Sequence, residues 1–122
     1  MHAIFSATVF HISDLEVSLN FYIHTLGFKK VFQAGDYAGV CSGEVMIHLC
    51  GPKNEGHKKP IGAGHLCLLI EEPIDTYYKL LQQNGVQIIY LIGDRDYGIR
   101  DFAIQDSDGN TLIFGNEMKE IC

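Results

Sequence analysis

The chain has 122 residues, of which 47% are apolar, and a formal charge of −6 at neutral pH. That size and apolar share fit a single packed domain and exclude a disordered chain. The acidic balance, with no cluster of basic residues beyond Lys58-Lys59, excludes the electrostatic footprint of a nucleic-acid or anionic-membrane binder.

Ile4 to Ile12 is rich in apolar and β-branched residues and reads as a strand. Ser13 followed by Glu16 has the spacing of a capping box, which starts a helix directly after that strand. Leu15, Leu19, Tyr22 and Leu26 form one apolar stripe at helical spacing, and Gly27 stops it, so residues 15 to 26 pack one face on a sheet. Short strand-like runs follow at Phe28 to Ala34, Tyr37 to Cys41 and Val45 to Cys50, separated by Gly35-Asp36 and Ser42-Gly43. The stretch from Gly51 to Ala63, with two prolines, three glycines and three lysines and no periodicity, has the composition of a connector.

The second half repeats the order. Gly64 to Ile70 reads as a strand, and Ile74, Tyr77, Tyr78 and Leu81 form a helical stripe that Gly85 ends. Strand-like runs follow at Gln87 to Ile92, Arg100 to Gln105 and Thr111 to Phe114, the last two joined through Asp108-Gly109, a hairpin signal. The helix brackets Asp14 to Gly27 and Glu72 to Gly85 are offset by 58, while Asp36-Tyr37-Ala38 and Ser42 match Asp101-Phe102-Ala103 and Ser107 at an offset of 65. Fixed-spacing similarity of this kind marks duplicated units. The expected architecture is α+β, one domain of two βαβββ modules, 1–52 and 64–122, joined by a connector at 53–63 and forming curved mixed sheets.

A duplicated βαβββ unit resembles the vicinal-oxygen-chelate superfamily of glyoxalases, extradiol dioxygenases and fosfomycin- and bleomycin-resistance proteins. The resemblance rests on Val9 to Phe28, with Asp14-Leu15, Ser18 and Phe21-Tyr22, and on Tyr97 to Asn116, YGIRDFAIQDSDGNTLIFGN. The second segment is similar to the tryptophan-glycine-x-arginine-glutamate-phenylalanine stretch of bleomycin-resistance-type members, with Tyr97 for the tryptophan and Asp101 for the glutamate.

In metal-using members each module supplies a ligand from its first and its last strand. Carried onto this chain, the resemblance implies Ala7 and His65 at the first strands and His48 and Ile113 at the last, pairs that also obey the offsets of 58 and 65. Ala7 and Ile113 have no donor atom. His48 and His65 therefore form an incomplete metal set, where a catalytic site ordinarily takes three protein ligands and an open position. Period-two alternation places His48 with Met46 and Cys50, opposite Val45, Ile47 and Leu49, and places His65 with Cys67. The candidate ligand-binding residues are His48, His65, Tyr97, Arg100, Met46, Ile113 and Ala7, with Tyr97 a stacking surface and Arg100 a neighbouring cation. The competing reading of Arg100 is a surface ion pair with Asp101 or another nearby acid.

Cys41, Cys50, Cys67 and Cys122 lack the paired spacing of a zinc site and read as reduced, buried thiols. The Asp106 to Glu117 stretch mimics a calcium loop, but Thr111 stands where that loop needs glycine. His2, His11, His24 and His57 have no partner spacing.

The resemblance implies a small-molecule binder of the bleomycin-resistance kind, sequestering an aromatic or cationic compound without a catalytic metal or other cofactor. Its alternative is a metal-dependent glyoxalase-type lyase, isomerase or dioxygenase using Zn, Ni, Mn or Fe through His48, His65 and a further donor such as Glu44. A homodimer is expected because so small a domain covers its sheets poorly. No apolar run approaches the roughly 20 residues of a membrane span and no secretory signal is visible, so a cytoplasmic location is expected.

Overall fold

In the computed structural model residues 1–118 are described; Cys122, one of the four thiols, lies outside them. The first module runs β1 (Thr8–His11), α1 (Leu15–Asn20), β2 (Lys29–Gln33), β3 (Tyr37–Ser42) and β4 (Val45–Cys50). The second runs β5 (His65–Leu69), α2 (Ile74–Gln83), β6 (Ile88–Asp94), β7 (Ile99–Gln105) and β8 (Thr111–Glu117). Each builds one four-stranded sheet, in the orders β1-β4-β3-β2 and β5-β8-β7-β6, with the first pair of each parallel and the others antiparallel. The α+β class and the repeated βαβββ order are thus as the sequence predicts. The chain divides into two units, one of Met1–Gly64 with Ser107–Asn110, the other of His65–Asp106 with the residues from Thr111.

Within the first unit, the predicted stripe Leu15, Leu19, Tyr22 and Leu26 is buried together with Phe10, Val40, Ile47 and Leu49. Tyr22 meets Phe28 edge-on at 5.9 Å. The helix spans 15 to 26 as expected, but Phe21–Leu26 is wound as a π-helix. Gly27, at φ 96°, ends it in the left-handed region that costs glycine least. The start differs from expectation: Asp14, not Ser13, is the cap, accepting a bond from Val17 N at 3.1 Å. Ser13 instead donates from its backbone to Asp108 Oδ2 at 3.1 Å. β1 is also shorter than the predicted strand, because residues 1–7 are exposed and β4 pairs only from Thr8 onward.

The second unit buries Leu68, Ile74, Leu81, Phe102, Ile104, Leu112 and Phe114, with Tyr77 edge-on to Phe114 at 5.1 Å and Tyr78 edge-on to Phe102 at 4.9 Å. Pro73 offers α2 no side-chain cap. Asn116 on β8 replaces it, accepting from Ile74 N at 2.7 Å while its amide donates to Ile70 O and Glu72 O at 3.0 Å each.

Strand register refines the internal repeat. Cys67 lies opposite Ile113 as Val9 lies opposite His48, which preserves the offsets 58 and 65. In the next strand, however, Asp101 lies opposite Gly115 as Tyr37 lies opposite Cys50, so the structural equivalent of Tyr37 is Asp101. The sequence match of Tyr37 to Phe102 is out by one residue. Because side chains alternate, that slip changes the face: Phe102 is fully buried beside α2, whereas Tyr37 and Asp101 belong to the opposite face. The extra residues enter mainly at the β6–β7 connection, where β6 is irregular between Tyr90 and Gly93.

Candidate functional site

On the face of the first sheet that points away from α1, Tyr37 and His48 are joined by a 2.8 Å hydrogen bond between Tyr37 Oη and His48 Nδ1. Phe32 meets the His48 ring edge-on at 5.2 Å and stacks with Tyr37 at 6.2 Å. Gly39 is what admits Phe32: a β-carbon there would overlap the ring. Burial and the charge of nearby Cys50 push the Tyr37 phenol up. This face is therefore occupied by its own aromatic side chains.

The equivalent face of the second sheet is open. Register places Ile113 where His48 stands, Gly115 for Cys50, and Tyr90 over Ala103 for Phe32 over Gly39. Ala103, fully buried, carries the methyl group that Gly39 lacks, and Tyr90 is 43% exposed, with the Arg95 guanidinium 5.6 Å from its ring centre. This sheet carries a recess of about 230 Å³, lined by Cys67, Leu69, Tyr97, Ile99, Asp101 and Ile113 among others. Gly115 forms part of its floor, and a side chain there would collide with Ile99.

Asp101, only 2% exposed, is the one ionisable carboxylate in the lining. Its Oδ1 accepts from Arg95 Nε at 2.7 Å and its Oδ2 from the Tyr97 hydroxyl at 2.7 Å. The bond to Asp101 raises the Tyr97 phenol above its usual range.

Of the sequence-predicted site residues, the recess brings together Tyr97 and Ile113. Arg100 is turned away from it, bonded to Asp75 through Nε at 3.0 Å and Nη2 at 2.8 Å and to Asp94 through Nη1 at 2.9 Å. The cation that meets the recess carboxylate is Arg95, which motif spacing did not single out. His65 is exposed at the start of β5, opposite Thr111. Ala7 is exposed just before β1, and His48 is the half-buried partner of Tyr37. Met46 borders a separate, more open hollow of the first unit with Ile4, Phe5 and Glu44. Cys50 is buried as expected, but Cys41 is only half-buried and Cys67 is exposed in the recess. His11 and His57, without partner spacing in sequence, meet edge-on at 5.0 Å.

These residues do not fit the metal that many members of this fold use. Within each unit only one of the two positions has a donor atom, His48 but not Ala7 and His65 but not Ile113, and the register sets Val9 opposite His48 and Cys67 opposite Ile113. Nδ1 of His48 is already bonded to Tyr37. Among the described residues no group of three or more His, Cys, Asp or Glu side chains is disposed to hold an ion.

Comparison with known proteins agrees with the fold and decides the family. Residues 4–114 match the model of the Glyoxalase/Bleomycin resistance protein/Dioxygenase superfamily. The chain belongs to that superfamily. Bleomycin resistance proteins of Geobacillus stearothermophilus and Staphylococcus aureus are 28% identical to it, over 88% of this chain and 92% of theirs. A superfamily member from Sphaerobacter thermophilus superposes with a TM-score of 0.79 at 28% identity, covering 95% of this chain and 98% of that one. The bleomycin-binding protein of Streptomyces verticillus, solved with copper(II)-bleomycin, shares the fold with a TM-score of 0.73 at 22% identity, covering 98% and 99%. No helix among the described residues is long and apolar enough to cross a membrane.

Proposed function

We propose that the protein is a non-catalytic small-molecule binder that holds an aromatic compound in the recess of its second module, in the manner of its bleomycin-resistance relatives. The observation that carries this reading is the recess itself, with an exposed tyrosine ring on one side and Leu69, Ile99 and Ile113 on the others. Apolar walls with a few fixed polar groups are the usual composition of a ligand site. Its volume, about 230 Å³, lies below the roughly 300–1,000 Å³ of whole-ligand pockets and above the roughly 150 Å³ that accommodates benzene. It suits one flat ring system of a larger molecule. The donor-poor ligand positions favour binding without a metal cofactor.

A homodimer in the cytoplasm completes the proposal. Support for the dimer comes from the large apolar side chains left exposed, Ile4, Phe5, Val9, Leu69 and Leu91 among them. Sedimentation at micromolar concentration distinguishes a dimer from a monomer.

Calorimetric titration with metal-free bleomycin, in the presence of a chelator, tests the binding reading. Saturable binding that is weakened at least about tenfold by Tyr97→Ala supports it. Binding that needs added metal, or that is indifferent to Tyr97, contradicts it.

A further inference from the structure

Tyr97 is 68% exposed, and an exposed aromatic side chain ordinarily samples several rotamers. Here its hydroxyl donates to a carboxylate that is itself immobilised. Asp101 is buried, and Arg95 holds it through Nε. Arg95 is fixed in turn by Nη2 bonds to Leu91 O at 2.7 Å and Asp101 O at 3.2 Å, and its backbone N–H donates to Ile99 O at 2.8 Å. Charge-assisted bonds of this geometry are the strong ones, and a side chain already held in place loses less freedom when a ligand arrives.

The same bonds settle the electrostatics of the recess. An unpaired carboxylate in an apolar hollow attracts a cation, but the Asp101 charge is matched by one guanidinium, and both oxygens already accept a bond.

We propose that Arg95 and Asp101 are positioning residues for Tyr97, and that by cancelling each other's charge they make the recess selective for an uncharged aromatic ring over a cationic one of equal shape. This deepens the binder reading above and rests on it. The net charge of the chain, −6, points towards a cationic guest, whereas the recess itself does not.

Quinoline, neutral at pH 7, and N-methylquinolinium, a flat cation, form the probe pair, titrated into the full chain and followed by NMR at the Ile113 and Gly115 amides. The expected result is quinoline tighter by about tenfold, with Tyr97→Phe, which keeps the ring and removes the tether, weakening it severalfold. Arg95→Met, if it folds, shifts the preference towards the cation, because Asp101 is then uncompensated. The tether has its own readout in the Tyr97 phenol, followed with ring-labelled tyrosine and assigned by Tyr97→Phe: it titrates above ordinary tyrosine, and Asp101→Asn returns it there. Equal or inverted affinity for the two probes overturns the selectivity. A Tyr97 phenol that titrates like a free tyrosine, or unchanged quinoline affinity in Tyr97→Phe, overturns the positioning role. Absence of saturable shifts with either probe overturns the binder reading and the selectivity together, while the phenol titration still decides the tether.

Discussion

The ring of Phe32 lies directly on Gly39, and that contact separates the two modules: the equivalent pair in the second is Tyr90 and Ala103. Gly39→Ala inserts a methyl group under Phe32, which must swing outward and give up its edge contact with His48. Overpacking of this kind costs about 1–3 kcal/mol. A loss near the lower end is expected, because Phe32 is 37% exposed and has room to move. Chemical denaturation reads it as a lower midpoint with unchanged slope.

Asn116 caps α2 from another strand, so its removal strands the Ile74 N–H and the Ile70 and Glu72 carbonyls at once. Asn116→Ala is expected to destabilise by about 1–3 kcal/mol. Asn116→Asp keeps the acceptor for Ile74 and loses the two donors, so its loss is smaller in the same denaturation experiment.

Arg100 binds Asp75 and Asp94 in exposed pairs, worth far less than the Asn116 network. The guanidinium holds the Asp75 carboxyl below the usual carboxylate range. A depressed carboxylate contributes stability above its unfolded pKa, about 4, and loses it as pH falls further. Arg100→Met is therefore expected to melt slightly below the parent at pH 7, with the gap closing in acid and in about 1 M salt. Binding of an aromatic ligand is expected to be unchanged.

Cys67 and Cys50 have opposite surroundings. Cys67 is exposed in the recess, whereas burial and the neighbouring Asp36 push the Cys50 thiol up. Since the thiolate is the reactive form, iodoacetamide near neutral pH is expected to label Cys67 well before Cys50 by mass spectrometry. Quinoline at saturating concentration is expected to slow the labelling of Cys67.

The fold was legible because its signals are local. Helical spacing marked Leu15 to Leu26 and Ile74 to Leu81, and Gly27 and Gly85 marked their ends. The site was legible only in part. Tyr97 and Ile113 were found from a motif and a repeat offset, and both border the recess. Arg95 was missed because it lies in the turn after β6, outside the two-residue alternation on which strand reading depends, and reaches Asp101 from there. The Asp-aromatic-Ala match between residues 36–38 and 101–103 misled for a related reason. It aligned similar letters across a one-residue register difference and so hid the equivalence of Tyr37 with Asp101. Ser13 had the spacing of a cap, but Asp108, 95 positions away in sequence, takes its backbone N–H and hydroxyl.

The recess beside Tyr97 is where a ligand is expected to sit. Amide chemical-shift mapping with metal-free bleomycin tests it most directly. Saturable shifts are expected at Cys67, Leu69, Tyr97, Ile99, Ile113 and Gly115. Shifts gathered instead around Ile4, Phe5 and Met46, or no saturable shifts, would contradict it.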